Sequence, residues 1–207
     1  MKEDRVIHQP LNPQELILLF HGVGSHPDNL IPLADFIAGI KPDAVIVSVA
    51  APDDCDLGGG LQWFSVKGVT EVNRHPRIME AMPAFLSRIR RYQARFLIAP
   101  EQTILIGFSQ GAIMSLEAVM SENQLASKVV SLSGRMAILP LLAPGVSRDV
   151  RFSFIHGTDD PVINIDDARR AAEHLRSLGF AVSMVSIPQG GHEINRETLS
   201  LLISEIA

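Results

Sequence analysis

One cysteine, one tryptophan and one tyrosine among 207 residues remove several options at once. A single thiol, Cys55, cannot form a disulfide within the chain, so no disulfide framework holds the fold. It also lacks the setting of a nucleophile, and insensitivity to thiol reagents is expected. A net charge of −5 with interspersed signs lacks the broad basic footprint of a nucleic-acid binder. One local basic cluster, Arg88, Arg90, Arg91 and Arg95, reads as the solvated face of a helix. No apolar run approaches the 18 or so residues of a bilayer span, and the opening Met-Lys-Glu-Asp-Arg has no apolar signal-peptide core. A cytoplasmic protein with no membrane span is the expectation. Repeats and linker-like tracts are absent, which leaves residues 1–207 to be read as one domain.

Apolar runs alternate with helical patterns. Leu16 to Phe20, Val45 to Val49, Thr103 to Ile106, Val129 to Leu132, Phe152 to Ile155 and Ala181 to Ile187 are nearly continuous in hydrophobicity, as strands buried on both faces are. Leu30 to Ile40, Ile78 to Leu97, Ala112 to Met120, Asp166 to Leu178 and Arg196 to Ile206 carry apolar residues at three-to-four spacing. The alternation predicts an α/β layered fold with a mostly parallel sheet. Asp166 is a candidate N-cap, Gly179 a helix stop, and Pro83 predicts a kink or a fresh start within the long second helix. The stretch from Ala50 to about Arg77 reads as a long loop, with Gly58-Gly59-Gly60 as a flexible point inside it.

Gly107-Phe108-Ser109-Gln110-Gly111 follows one of these strands directly and opens a helix. That is the setting in which a G-x-S-x-G serine is lifted clear of a sheet on a tight turn, with flanking glycines making room. A serine nucleophile needs a base, and the base an orienting carboxylate, both from loops at the carboxyl ends of later strands. After Phe152 to Ile155 comes His156-Gly157-Thr158-Asp159-Asp160-Pro161-Val162, and after the last strand comes Gly190-Gly191-His192-Glu193. Of the seven histidines, His192 alone follows the last strand on a Gly-Gly turn, which selects it as the base. His21 and His156 precede glycines at strand ends and are assigned to local loop bonding; His8, His26, His75 and His174 lie in polar, loop or mid-helix positions. Asp160 is the acid, because the proline after it fixes an extended backbone; Asp159 is left to the turn. The oxyanion donors are the N–H of Gln110 and, from Phe20-His21-Gly22-Val23-Gly24, that of Val23.

Competing motifs fail on their residues. Gly22-x-Gly24 meets Pro27 where a dinucleotide site wants a third glycine, no Walker A pattern occurs, and His192-Glu193 meets Arg196 where a zincin has its second histidine. No cofactor and no metal are expected.

The segments Leu19-Phe20-His21-Gly22-Val23-Gly24, Gln62-Trp63-Phe64-Ser65, Ile106-Gly107-Phe108-Ser109-Gln110-Gly111-Ala112, His156 to Val162 and Gly191-His192 together resemble the carboxylesterase/phospholipase group of α/β hydrolases. That group includes acyl-protein thioesterases and small bacterial esterases. The resemblance runs through nearly the whole chain. It implies an α/β-hydrolase fold with helices on both faces of the sheet and no large cap domain. It also implies a triad of Ser109, Asp160 and His192, with Val23 and Gln110 as the oxyanion hole. Members often carry Trp-Phe-Asp where this chain has Trp63-Phe64-Ser65, which is similar to the bacterial esterase branch. The implied substrate is a small-molecule carboxylic ester or an acyl thioester. A non-catalytic binding module on the same fold, or a lipase or peptidase, are the alternatives. Trp63, Phe64 and the loop Ile138 to Val146, with Leu141, are candidates for the acyl-binding wall, plain loop packing being the other reading of the two aromatics.

Overall fold

The computed structural model describes residues 2–141 and 146–206. Seven strands form one sheet: β1 (Arg5–His8), β2 (Glu15–Phe20), β3 (Ala44–Val49), and, numbered past a small two-stranded ribbon, β6 (Thr103–Phe108), β7 (Lys128–Leu132), β8 (Arg151–Gly157) and β9 (Ala181–Ile187). The ribbon is β4 (Asp53–Asp54) with β5 (Leu61–Gln62). The sheet order is β1-β3-β2-β6-β7-β8-β9, and every pairing is parallel except the edge pair β1–β3. Among the described residues, four α-helices connect strands, α1 (Ile31–Ile40), α2 (Glu71–Phe96), α3 (Gln110–Ser121) and α4 (Ile165–Ser177), and α5 (Arg196–Ile206) follows the last strand.

Alternation along the strands divides the core. Leu16, Leu18 and Phe20 of β2, with Phe152 and Phe154 of β8, face α2, α3 and α4. Ile17 and Leu19, with Ile104, Ile106 and Ile155, face α1 and α5. Because both faces are covered, the central strands are largely apolar on both sides, which is why their sequences read as nearly continuous apolar runs. The strand order reverses between β2 and β6, and Phe20 pairs with Gly107 across that line. Ligand crevices of open α/β sheets form outside the carboxyl ends of strands at such a switch point.

Helix α2 differs most from expectation. It starts seven residues earlier than the apolar pattern, at a capping box in which Thr70 Oγ1 accepts from Asn73 N and Asn73 Oδ1 from Thr70 N. It does not start anew at Pro83. Pro76 and Pro83 are both exposed, as are Val72 and Met79 four residues before each, so the carbonyls they leave unpaired face water and the helix continues. The loop expected from Ala50 to Arg77 is accordingly shorter, and Gly58, Gly59 and Gly60 form the bend of the β4–β5 ribbon. The N-cap of α4 is Asn164, whose side chain accepts from Asp166 N, and not Asp166. Gly179 does end that helix, at φ 91°. The arginine cluster on α2 is paired as well as solvated: Arg88 and Arg91 meet Asp4, Arg90 meets Glu122, and Arg95 lies over the Phe96 ring.

Candidate active site

Ser109 occupies the turn between β6 and α3 at φ 53° and ψ −115°, a conformation side chains rarely adopt. The turn is held from three directions. Ser109 N–H donates to Leu132 O of β7 at 2.9 Å, and Ser109 O accepts from Ala112 and Ile113 at 3.0 and 3.1 Å. A Cβ on Gly107 would collide with the Gly111–Ala112 backbone, and one on Gly111 with the Phe20 carbonyl. Both glycines of the pentapeptide are therefore required by close approach of strand, turn and helix.

The three residues singled out as a triad come together. His192 Nε2 lies 2.9 Å from Ser109 Oγ, and His192 Nδ1 lies 2.7 Å from Asp160 Oδ2. Their loops are fastened to each other at the sheet edge. Asp159 N–H donates to Gly190 O at 2.9 Å, Gln189 N–H to Thr158 Oγ1 at 2.8 Å, and a Cβ on Gly157 would strike the Gly190 carbonyl. The side chain of Asp160 is buried, and its Oδ1 accepts from Val162 and Ile163 N–H at 2.8 and 2.9 Å. Burial works against its charge, but the bonds from His192, Ile163 and Val162 outweigh it and hold the carboxyl below its usual range. Asp159 instead accepts from Thr158 Oγ1 at 2.9 Å, in the turn role expected of it. The Phe108 ring packs 4.9 Å from the His192 ring and completes the support of the imidazole.

Gly22 brings the β2 loop against the elbow; a Cβ there would sit 3.2 Å from Ser109 Cβ. Among the described residues, no acceptor takes the N–H of Val23 or of Gln110. At Gln110 that is the orphan donor of a helix start. The Gln110 side chain has a second use that its position gave no hint of. Its Oε1 accepts from Trp63 N–H at 2.8 Å and its Nε2 donates to Phe64 O at 2.7 Å, tying the loop after β5 to the nucleophile helix.

Trp63 is 2% exposed, edge-on to Phe20 and Phe85, and its Nε1 donates to His21 O at 2.8 Å. Phe64 is 6% exposed in the same core. Both rings are packed into the core, as in the packing alternative raised for them. Leu141, by contrast, is 94% exposed, just before residues 142–145, which lie outside the described residues. The chain leading to it is tethered by Arg135, which bridges Glu71 at the start of α2 and Asp167 at the start of α4, and by His174 Nε2, which donates to Pro140 O.

His21 is a framework residue. Its Nδ1–H donates to Gly22 O at 2.8 Å and its Nε2 accepts from Ala51 N–H at 3.1 Å, so the ring is neutral in one tautomer. Burial pushes it from the ordinary 6.5 down to about 4, against the opposing bond to Gly22. The unfolded chain thus takes up this proton near pH 6.5 and the folded chain only near 4, so stability is complete above the first value and falls between the two. The melting temperature is expected to fall from pH 7 to about 4.5. In His21→Gln the same fall should be smaller; an equal fall would remove His21 from the account.

The family model described as Phospholipase/Carboxylesterase matches residues 1–207. The chain belongs to this family. It is 39% identical to Esterase YpfH of Escherichia coli (strain K12) over 208 residues, covering 100% of this chain and 88% of that protein. It is 25% identical to acyl-protein thioesterase 1 of Debaryomyces hansenii, covering 89% of this chain and 86% of that one. The crystal structure of esterase PE8 superposes with a TM-score of 0.83 at 25% identity, over 94% of this chain and 92% of that one. The family fold, an α/β hydrolase without a large cap, is therefore the fold of this chain. No helix among the described residues is long and apolar enough to cross a membrane.

Proposed function

We propose that the protein is a serine hydrolase of small carboxylic esters, with acyl thioesters open to the same chemistry, and that residues 1–207 work as one cytoplasmic α/β-hydrolase domain. The observation that carries this reading is the continuous relay of 2.9 and 2.7 Å from a strained serine through His192 to a buried aspartate. Family membership and the esterase named among the relatives support it.

In this reading Ser109 Oγ attacks the carbonyl carbon while its proton passes to His192 Nε2. The carbonyl oxygen, now negative, takes the free N–H groups of Val23 and Gln110. Collapse of the adduct expels the alcohol or thiol, which leaves with the proton from Nε2. Water then attacks the acyl-enzyme, gives its proton to Nε2, and the carboxylic acid departs as Ser109 recovers its hydrogen. Asp160 stays ionised throughout and stabilises the imidazolium formed in each step.

The test is hydrolysis of p-nitrophenyl acetate, butyrate and octanoate, run beside labelling by a fluorophosphonate. Turnover with a single label on Ser109 supports the hydrolase. A folded protein that neither turns over these esters nor takes the label would be the non-catalytic binding module. Acyl-length preference is expected to depend on the loop after β7. Because Leu141 is exposed, Leu141→Ala should leave the melting temperature unchanged while lowering kcat/KM for the octanoate about tenfold relative to the acetate. An equal effect on all three esters would remove Leu141 from the acyl wall.

A further inference from the structure

The triad aspartate has a second imidazole on it. His156, at the end of β8, is 1% exposed, and its Nε2 lies 3.2 Å from Asp160 Oδ2, the same oxygen that accepts from His192. The protonation of this nitrogen is fixed by geometry. His156 Nε2 also lies 2.9 Å from Ile163 O, and a carbonyl can only accept, so Nε2 carries the hydrogen. Burial, the leading influence on His156, pushes its pKa down and keeps the ring neutral, against the bond to Ile163 and the charge of Asp160.

We propose that His156 is a positioning residue for the acid–base pair, its Nε2–H edge holding Asp160 Oδ2 in the plane of His192 Nδ1 and drawing charge from that oxygen. This rests on the triad reading above. With it, Asp160 Oδ1 accepts from Val162 and Ile163 N–H, and Oδ2 accepts from His192 and has His156 Nε2 at 3.2 Å, the single hydrogen of that nitrogen being shared with Ile163 O. A carboxylate so surrounded has no low-energy rotation left. The side chain of Asp160 and the ring of His156 also close one small unit, since Ile163 donates its N–H to Asp160 and offers its carbonyl to His156.

The second effect is electrostatic. A neutral donor beside Oδ2 competes with His192 for the charge of that oxygen. The titratable groups acting on His156 are Asp160 and His192. Asp159 is engaged by Thr158, and on the neighbouring α4 face Asp166 pairs with Arg169 while Asp167 pairs with Arg170 and Arg135. Removal of the His156 donor should leave Oδ2 a stronger acceptor toward His192, a change that the acid limb of the rate profile reads.

The full chain carrying His156→Leu, His156→Asn or His156→Gln is to be compared with wild type for melting temperature and for kcat and KM on p-nitrophenyl butyrate, over about pH 5.5 to 9. The glutamine amide reaches the Nε2 position; the shorter asparagine amide reaches only that of Nδ1. The leucine and asparagine variants are expected to lose about 10- to 100-fold in kcat with KM within about twofold, and their acid limbs to move to higher pH. Glutamine should restore most of kcat and the original limb. If the leucine variant gives no cooperative melt, the asparagine and glutamine variants decide the matter alone. Folded variants with kcat within twofold of wild type and an unmoved limb would overturn the proposal, as would a glutamine variant no better than asparagine. A wild type that neither hydrolyses the ester nor takes the fluorophosphonate would bring down the triad reading and this proposal with it; an active wild type beside indifferent variants brings down only the role of His156.

Discussion

Replacing Ser109 by alanine is expected to cut ester hydrolysis by roughly 10⁵-fold or more while leaving the protein folded. The size follows from what the hydroxyl does: it is the only group in the relay that forms a bond to substrate, and the oxyanion donors and His192 left behind can assist only an attacking water. The fold should tolerate the change, because alanine accepts the same strained φ of 53° at about the same cost as serine and loses a single bond to His192. Glycine at this position separates strain from chemistry. Freed of the Cβ, Ser109→Gly should be equally inactive yet more stable, on the order of 1 kcal/mol net of its greater unfolded-state entropy, or about 2–4 °C in melting temperature. Activity surviving in either variant would mean another nucleophile. A glycine variant less stable than alanine would mean that the elbow is not strained by its Cβ.

The elements that could be read from the chain were those whose local pattern and tertiary role agree. β9 and α5 begin and end where hydrophobic spacing puts them, and the elbow could be recognised because strand, glycine and serine are adjacent in sequence. The start of α2 could not, since Glu71 to Arg77 has little apolar periodicity and contains Pro76; its helicity comes from the Thr70 cap and from solvent relieving the proline. β1 was missed because four half-exposed residues at a sheet edge carry no alternation to detect. The convergence of Ser109, Asp160 and His192 was legible through chain order on an α/β scaffold, each lying in the loop after a strand. The support around them was not. His156 on Asp160, Phe108 against His192, and the Gln110 amide bonded to Trp63 and Phe64 all join residues distant in sequence whose types are equally at home in ordinary packing. The same holds for Glu205, which docks α5 by accepting from Ser153 and Ser183 and meeting Lys128.

Asp160→Asn should lower kcat/KM by about 10⁴-fold with little change in fold, the loss arising from a tautomer. In wild type both carboxylate oxygens only accept: Val162 and Ile163 N–H meet Oδ1, and His192 Nδ1–H meets Oδ2 with His156 Nε2–H beside it. An asparagine has one oxygen and one NH₂. The two main-chain donors on the Oδ1 side cannot turn away, so the amide oxygen goes there and the NH₂ replaces Oδ2. That NH₂ then donates to His192 Nδ1, which must give up its hydrogen, and the imidazole proton moves to Nε2. A ring protonated at Nε2 has no lone pair directed at Ser109 Oγ, so the base is blocked although every heavy atom keeps its place. The same NH₂ also faces the Nε2–H of His156, donor against donor, which adds a modest loss of stability. The defect is therefore expected in kcat and in the rate of fluorophosphonate labelling, with KM nearly unchanged, and raising the pH should recover part of the activity as hydroxide takes over the base's task. A variant within tenfold of wild type at neutral pH would show that Asp160 does not set the tautomer of His192, and would leave Asp159 as the acid to test next.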